Sequence, residues 1–266
     1  MVKIIKNEFR KFFYNKAFIF EVLFMVGLCA LAVVAYKDMA ETVIKNLPKA
    51  QSLSEEIKNA LLNLNGTVFS TLFLTDYIYK SYFSFFLIFI VTNTVHLFSF
   101  DRENGTMKFS LLTGVERETL LYGKLLFIVL KIVSVVFFNM VLSLLIGMFF
   151  FGKISDLNQI IEYAGIGLCS ILPGVSTAML IALLSQIHTS SKAVMGIGLL
   201  AVLVLGMLDT MTDAHWFSPI GVLSIFYNEV PKINSTLLTH CFVSLIYCVV
   251  GFIILRGIVK KYEFYE

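Results

Sequence analysis

AFIFEVLFMVGLCALAVVAY, residues 17–36, decides the fold. Apart from Glu21, one turn in, the run is apolar or small. As a helix rising roughly 1.5 Å per residue, it is long enough to cross about 30 Å of hydrocarbon. A basic stretch precedes it, as in a signal peptide. However, the run is long, and Leu31–Ala35 leads straight into Tyr36 and Lys37 without a clean small-x-small cleavage site. It reads as a retained membrane span.

Working outward, five further apolar runs follow at about 81–100 (SYFSFFLIFIVTNTVHLFSF), 120–151, 160–187, 193–209 and 236–256. Composition demands such spans. Of 266 residues, 58% are hydrophobic and 15% charged, and the mean hydropathy is +0.85. A soluble domain carries about 25% charge, so this chain has too little polar surface to cover a globule in water. Its runs are continuous rather than alternating, which disfavours a transmembrane barrel. The expectation is an all-α membrane protein, with residues 1–266 forming a single six-span domain.

Six spans divide the cations unequally. Lys3, Lys6, Arg10, Lys11, Lys16, Arg102, Lys108, Arg117, Lys124, Lys192, Arg256, Lys260 and Lys261 fall on one side, which makes 13. Lys37, Lys45, Lys49, Lys58, Lys80, Lys153 and Lys232 make 7 on the other, and Lys131 lies within the third span. The positive-inside rule puts the first side, with both termini, in the cytoplasm of a cell (plasma) membrane. The opening segment KIIKNEFRKFFYNK, residues 3–16, gathers Ile4, Ile5, Phe9, Phe12 and Phe13 near one helical face. It predicts a basic amphipathic helix in the cytoplasmic interface, with Lys6, Phe9, Arg10 and Phe13 meeting membrane lipid. On the outside, the later part of the 37–80 loop (LLNLNGTVFSTLFL) is apolar enough to dip into the outer leaflet.

Several chemistries are absent. There is no Gly-x-x-x-x-Gly-Lys-Ser/Thr loop: the nearest string, ending Tyr122-Gly123-Lys124-Leu125, has Glu118 where the first glycine belongs. The chain therefore lacks the usual ATP cradle. Cys29, Cys169, Cys241 and Cys248 sit in apolar runs without metal-ligand spacing, and His96, His188, His215 and His240 are scattered. Neither a disulfide framework nor a metal site is expected, and no feature points to nucleic acid. Pro173-Gly174-Val175-Ser176 loosely resembles a nucleophile turn, but His188 stands roughly 18 Å further along the helix. A kinked span whose Ser176 and Thr177 bond back to freed carbonyls accounts for it better than an intramembrane enzyme.

The informative loop is FDRENGTMKFSLLTGVERETLLYGKLL, residues 100–126. Asp101, Arg102 and Glu103 open it. Gly105 and Thr106 make a turn and a helix start, Leu111 and Leu112 offer apolar contacts, and Gly114 breaks the run before Arg117. Such a segment serves equally as a polar connector or as a short lever fed by a soluble partner.

This stretch resembles the cytoplasmic loop of type 2 ABC-transporter permeases of the small exporter class. That pattern has an acid, Gly-Thr, an apolar pair, a turn, then Arg and Gly-Lys opening the next span. Here these are Glu103, Gly105, Thr106, Leu111, Leu112, Arg117, Gly123 and Lys124. The family turn often carries Pro and Ser-Arg, where this chain has Gly114 and Glu116-Arg117. The amphipathic start and six-span layout fit as well. DAHWFSPIGVLSIFYNEV, residues 213–230, resembles the short outer helices that dip back into the membrane, with Trp216 and Tyr227 suited to an interfacial place.

The resemblance implies a permease without its own ATPase site. Residues 101–119 would form a coupling helix, with Asp101, Arg102, Glu103, Gly105, Thr106, Leu111, Leu112 and Arg117 meeting the ATPase. Two ABC ATPase subunits would bring ATP and Mg, neither bound by this chain, and a second permease, identical or homologous, would complete the path. Cargo would be an amphipathic or antimicrobial peptide, with sodium or drug efflux as the alternative. Outside the family, a channel or intramembrane enzyme remains. Ionisable residues inside a membrane are costly, so Glu21 and Lys131, with Asn139, are candidate pathway residues. Snorkelling to the headgroups is the competing reading for Glu21 and Lys131.

Overall fold

A computed structural model describes residues 2–14, 16–45, 55–80, 84–112, 114–152, 157–188, 190–228 and 234–261. Lys49, Lys153 and Lys232 lie outside the described residues. The side chains of Lys45, Lys58, Tyr227 and Lys261, used above for topology or the interface, do too.

Among the described residues every regular element is helical. α1 (Val2–Tyr14) precedes α2 (Lys16–Lys45), which carries span one. Next follow α3 (Glu55–Leu62), α4 (Gly66–Phe73) and a π turn, Leu74–Ile78. α5 (Phe85–Val95) runs into a second π turn, His96–Phe100, then α6 (Asp101–Glu103) and α7 (Thr106–Leu112). α8 (Arg117–Phe151), α9 (Leu157–Ile187) and α10 (Ser191–Met211) carry spans three to five. A 3₁₀ turn, Asp213–Trp216, leads to α11 (Gly221–Asn228), and α12 (Ser235–Lys261) carries span six.

Among the described residues, six helices are long and apolar enough to cross a membrane: Phe18–Val43, Phe85–Glu103, Arg117–Phe151, Asn158–Ile187, Ser191–Met211 and Ser235–Lys260. The expected spans are all present, with shifted ends. Span five, read as 193–209, starts two residues earlier and ends two later. Span two ends beyond residue 100, because helical backbone continues through the π turn into α6.

Spans four and two are the most enclosed, with 61% and 56% of their apolar windows buried, against 22% for spans one and six. α9 is the hub and packs on α12, α5 and α8. One small-residue contact lies beside it. A Cβ on Gly147 of α8 would lie 2.5 Å from the Gly66 carbonyl oxygen, so α4 meets α8 backbone to backbone. Asn65 starts α4 by accepting from the Thr67 and Val68 N–H groups at 3.0 and 2.9 Å, and Phe69 and Phe73 are wholly buried. The apolar tail of the 37–80 loop thus folds into the bundle. α11 does the same, burying Val222, Leu223 and Phe226.

Pro173 sits inside α9. The Thr177 hydroxyl donates to the Pro173 carbonyl at 2.8 Å, and Ser176 reaches the Pro173 and Pro219 carbonyls at 3.0 and 2.9 Å. Ser176 is therefore used to satisfy backbone carbonyls around the proline and beside α11.

Candidate functional site: the end of the bundle around Asp101

The 101–103 turn and the basic N-terminal helix meet at the end of span two expected to face the cytoplasm. α1 lies along α8 because its apolar face fits there. Ile4 rests on Gly123, where any Cβ would lie 2.8 Å from the Ile4 Cγ2 atom. Phe9 and Phe12 pack edge-on against Phe127, with ring centroids 5.0 and 6.4 Å apart. Lys6 and Arg10 are left exposed, as is Phe13. Phe9, expected to meet lipid, is half-buried against α8.

Glu8 is the acid on the inward side of α1 and is buried. Its Oε1 accepts from Lys11 Nζ at 3.0 Å, and Lys11 Nζ also donates to Asp101 Oδ2 at 3.2 Å. The same carboxylate oxygen takes Lys124 Nζ at 2.5 Å. The Leu97 carbonyl, within the π turn, accepts from Lys124 at 2.5 Å. π turns shift the backbone hydrogen-bond register, and here a lysine from the neighbouring span serves a carbonyl in that turn. Two carboxylates (Glu8, Asp101) and two ammonium groups (Lys11, Lys124) cancel in charge; Lys11 reaches the solvent, and the other three are buried, where such pairing is required. Burial lowers the Lys11 pKa, but the Asp101 and Glu8 carboxylates outweigh it, so the pKa ends above its ordinary value.

Arg102 and Glu103 face the next loop. Arg102 Nη1 donates to the Ser185 and Gln186 carbonyls at 3.2 and 3.3 Å, at the C-terminal end of α9. Glu103 Oε2 accepts from the Ser191 N–H at 3.2 Å and also from the Ser191 hydroxyl, at the first residue of α10. Gly105 (φ 71) and Gly114 (φ 80) bracket α7 in backbone conformations that favour glycine. Thr106 starts α7. Leu111 is half-buried, whereas Leu112 is 82% exposed. Arg117 opens α8, half-buried.

Deeper in the membrane, Lys131 and Glu21 pair at 3.5 Å, with side chains only 5% and 12% exposed. Asn93 Nδ2 donates to the same Glu21 oxygen at 2.9 Å. Lys131 Nζ also lies 3.7 Å from the Phe12 ring centroid, a cation–π contact. Spans one, two and three are thereby tied to α1. Lys131 and Asn93 border a narrow apolar crevice lined by Phe86, Ile90, Ile132 and Val135. Asn139 stands apart from this cluster. It is fully buried, and its amide has no hydrogen-bond partner among the described residues.

A family model described as "ABC-2 family transporter protein" matches residues 2–254. The chain belongs to the ABC-2 transporter family. It is the membrane component, a permease subunit, of an ABC transporter, and the family works with ABC ATPase partners. No curated protein and no solved structure matches the chain.

For an ABC-2 permease, the arrangement is mechanically informative. α6 contacts four other elements through three consecutive side chains: Asp101 holds α1 and α8, Arg102 holds α9 and Glu103 holds α10. Sequence reasoning picked out all three residues but not their targets. It missed Glu8 and Lys11 as members of the network, although an acid three residues before a lysine on a basic helix was a usable signal. Among the described residues, no group of three or more His, Cys, Asp or Glu side chains is placed to hold a metal.

Proposed function

We propose that this permease exports an amphipathic peptide, driven by ATP hydrolysed on two separate ATPase subunits that dock from the cytoplasm. Two permease chains face each other to form the path, and both termini lie inside, as the split of cations favours. The observation that carries the reading is the presentation of α7. This short helix offers a bare Leu112 to the solvent, 82% exposed, and hangs from α6, which is bonded into the bundle. An apolar side chain exposed on a stiffly mounted helix suits a hydrophobic groove on a soluble partner. α7 is then the coupling helix. This chain supplies path and levers, while ATP and Mg bind only the partner.

Peptide cargo follows from the small, phenylalanine-rich bundle, which offers aromatic walls and few fixed charges. The experiment is capture of the detergent-solubilised chain from its native membrane, followed by addition of ATP. A co-captured ATPase whose hydrolysis is stimulated by amphipathic peptide, and not by sodium or a small drug, supports the reading. A chain that purifies without an ATPase refutes it.

A further inference from the structure

Transport of force in such a pump requires that a movement at α7 reach spans remote from the docking loop. α7 is joined covalently only to spans two and three. Yet two consecutive side chains just before it hold the two helix ends of the next cytoplasmic loop. Arg102 places its guanidinium on the Ser185 and Gln186 carbonyls, 3.2 and 3.3 Å away. Glu103 receives the Ser191 N–H and hydroxyl. The last carbonyls and first N–H groups of a helix have no partners within it. A cation suits the first end and an anion the second. Adjacent residues of opposite charge thus grip adjacent helices at the ends that match them.

We infer that Arg102 and Glu103 are positioning residues that carry the displacement of α7 to spans four and five, independently of the covalent route through spans two and three. The inference rests on the reading of α7 as the coupling helix. Little slack lies between them: Asn104 N–H donates to the Phe100 carbonyl at 2.9 Å and Gly105 N–H to the Arg102 carbonyl at 3.1 Å, closing the intervening turn. Glu103 is solvent-exposed, and exposed polar contacts contribute little to folding. Its loss therefore registers in transmission rather than in stability. The assignment also differs from one in which Glu103 touches the ATPase directly, because it needs Ser191 as much as Glu103.

Ser191 permits a clean test. It is the first residue of α10, and Ser190 before it is extended, with φ −84 and ψ 122. Proline is well tolerated at a first helical position after an extended residue. Ser191→Pro thus removes both donors to Glu103 while leaving the helix start intact. The measurement is hydrogen–deuterium exchange of the permease–ATPase complex with and without ATP, read over residues 106–112 and 187–195.

In the parent, ATP changes exchange in both segments. In Glu103→Ala and in Ser191→Pro the change at 106–112 persists and that at 187–195 is lost, and the double variant matches either single. Arg102→Met loses the 187–195 response, while Arg102→Lys, which keeps a cation on the carbonyls, retains it. The inference is overturned if 187–195 never responds in the parent, if Ser191→Pro still responds, or if the double variant loses more than the singles. Failure of the underlying reading looks different: no ATPase is retained by the parent chain, and the inference falls with it.

Discussion

Lys124→Met is the sharpest test of the network around Asp101. Methionine keeps most of the stem and removes the ammonium group. Two contacts of 2.5 Å vanish, to Asp101 Oδ2 and to the Leu97 carbonyl. Lys124 is 2% exposed, so water cannot replace them. Removing one partner of a buried ion pair costs roughly 3–5 kcal/mol. Asp101 keeps Lys11 at 3.2 Å, which places the loss near the lower end, about 3 kcal/mol. For a chain of this size, each kcal/mol moves Tm by roughly 2–4 °C, so a fall of about 6–12 °C is expected. Heating in detergent followed by size-exclusion chromatography reads it. Asp101→Asn combined with Lys124→Met removes both charges and should recover at least about 1 kcal/mol relative to the single. A single variant as stable as the parent, or a double variant worse than the sum of its singles, refutes the network.

The same logic applies within the membrane. Lys131→Met strands Glu21 with only Asn93, so it should lower Tm more than Glu21→Gln/Lys131→Met does; equal losses would show that the pair is not coupled. Gly147→Ala drives a methyl group onto the Gly66 carbonyl oxygen and should cost about 1–3 kcal/mol as overpacking, seen as a lower Tm. Asp76 reaches the surface, yet the protein packed around it raises its pKa, only partly opposed by the Tyr36 hydrogen bond and Lys80. A carboxyl group whose pKa is raised by folding takes up protons on folding, so its ionised form costs stability. The cost is absent below the unfolded value, about 3.9, and grows as pH rises through the folded value. Asp76→Asn, which can still accept from Tyr36, should therefore raise Tm at neutral pH, with the gain shrinking in acid. A gain independent of pH would contradict this.

The spans were legible because lipid imposes a length and a composition that one stretch of chain must satisfy by itself. Their ends were less so. Whether helix continues through His96–Phe100 depends on a π turn whose Leu97 carbonyl is served by Lys124, a partner 27 residues away. Lys131 was recognisable as a costly charge, but its partner Glu21 lies 110 residues earlier, and only packing brings them together. The 101–103 cluster was found for its charge pattern, while the targets of Arg102 and Glu103 include backbone groups, which carry no side-chain signal. Asn139 shows the reverse case: a polar residue marked in the sequence that the packing leaves without a partner among the described residues.

Site-specific photocrosslinking tests whether a separate ATPase docks on α7, as we propose. A photoreactive amino acid placed at Leu112 in the native membrane should, on irradiation, yield an adduct of this chain with an ABC ATPase. The same group at Phe149, exposed at the opposite end of α8, should give none. An ATPase adduct absent from Leu112, or equally strong from Phe149, would contradict the account.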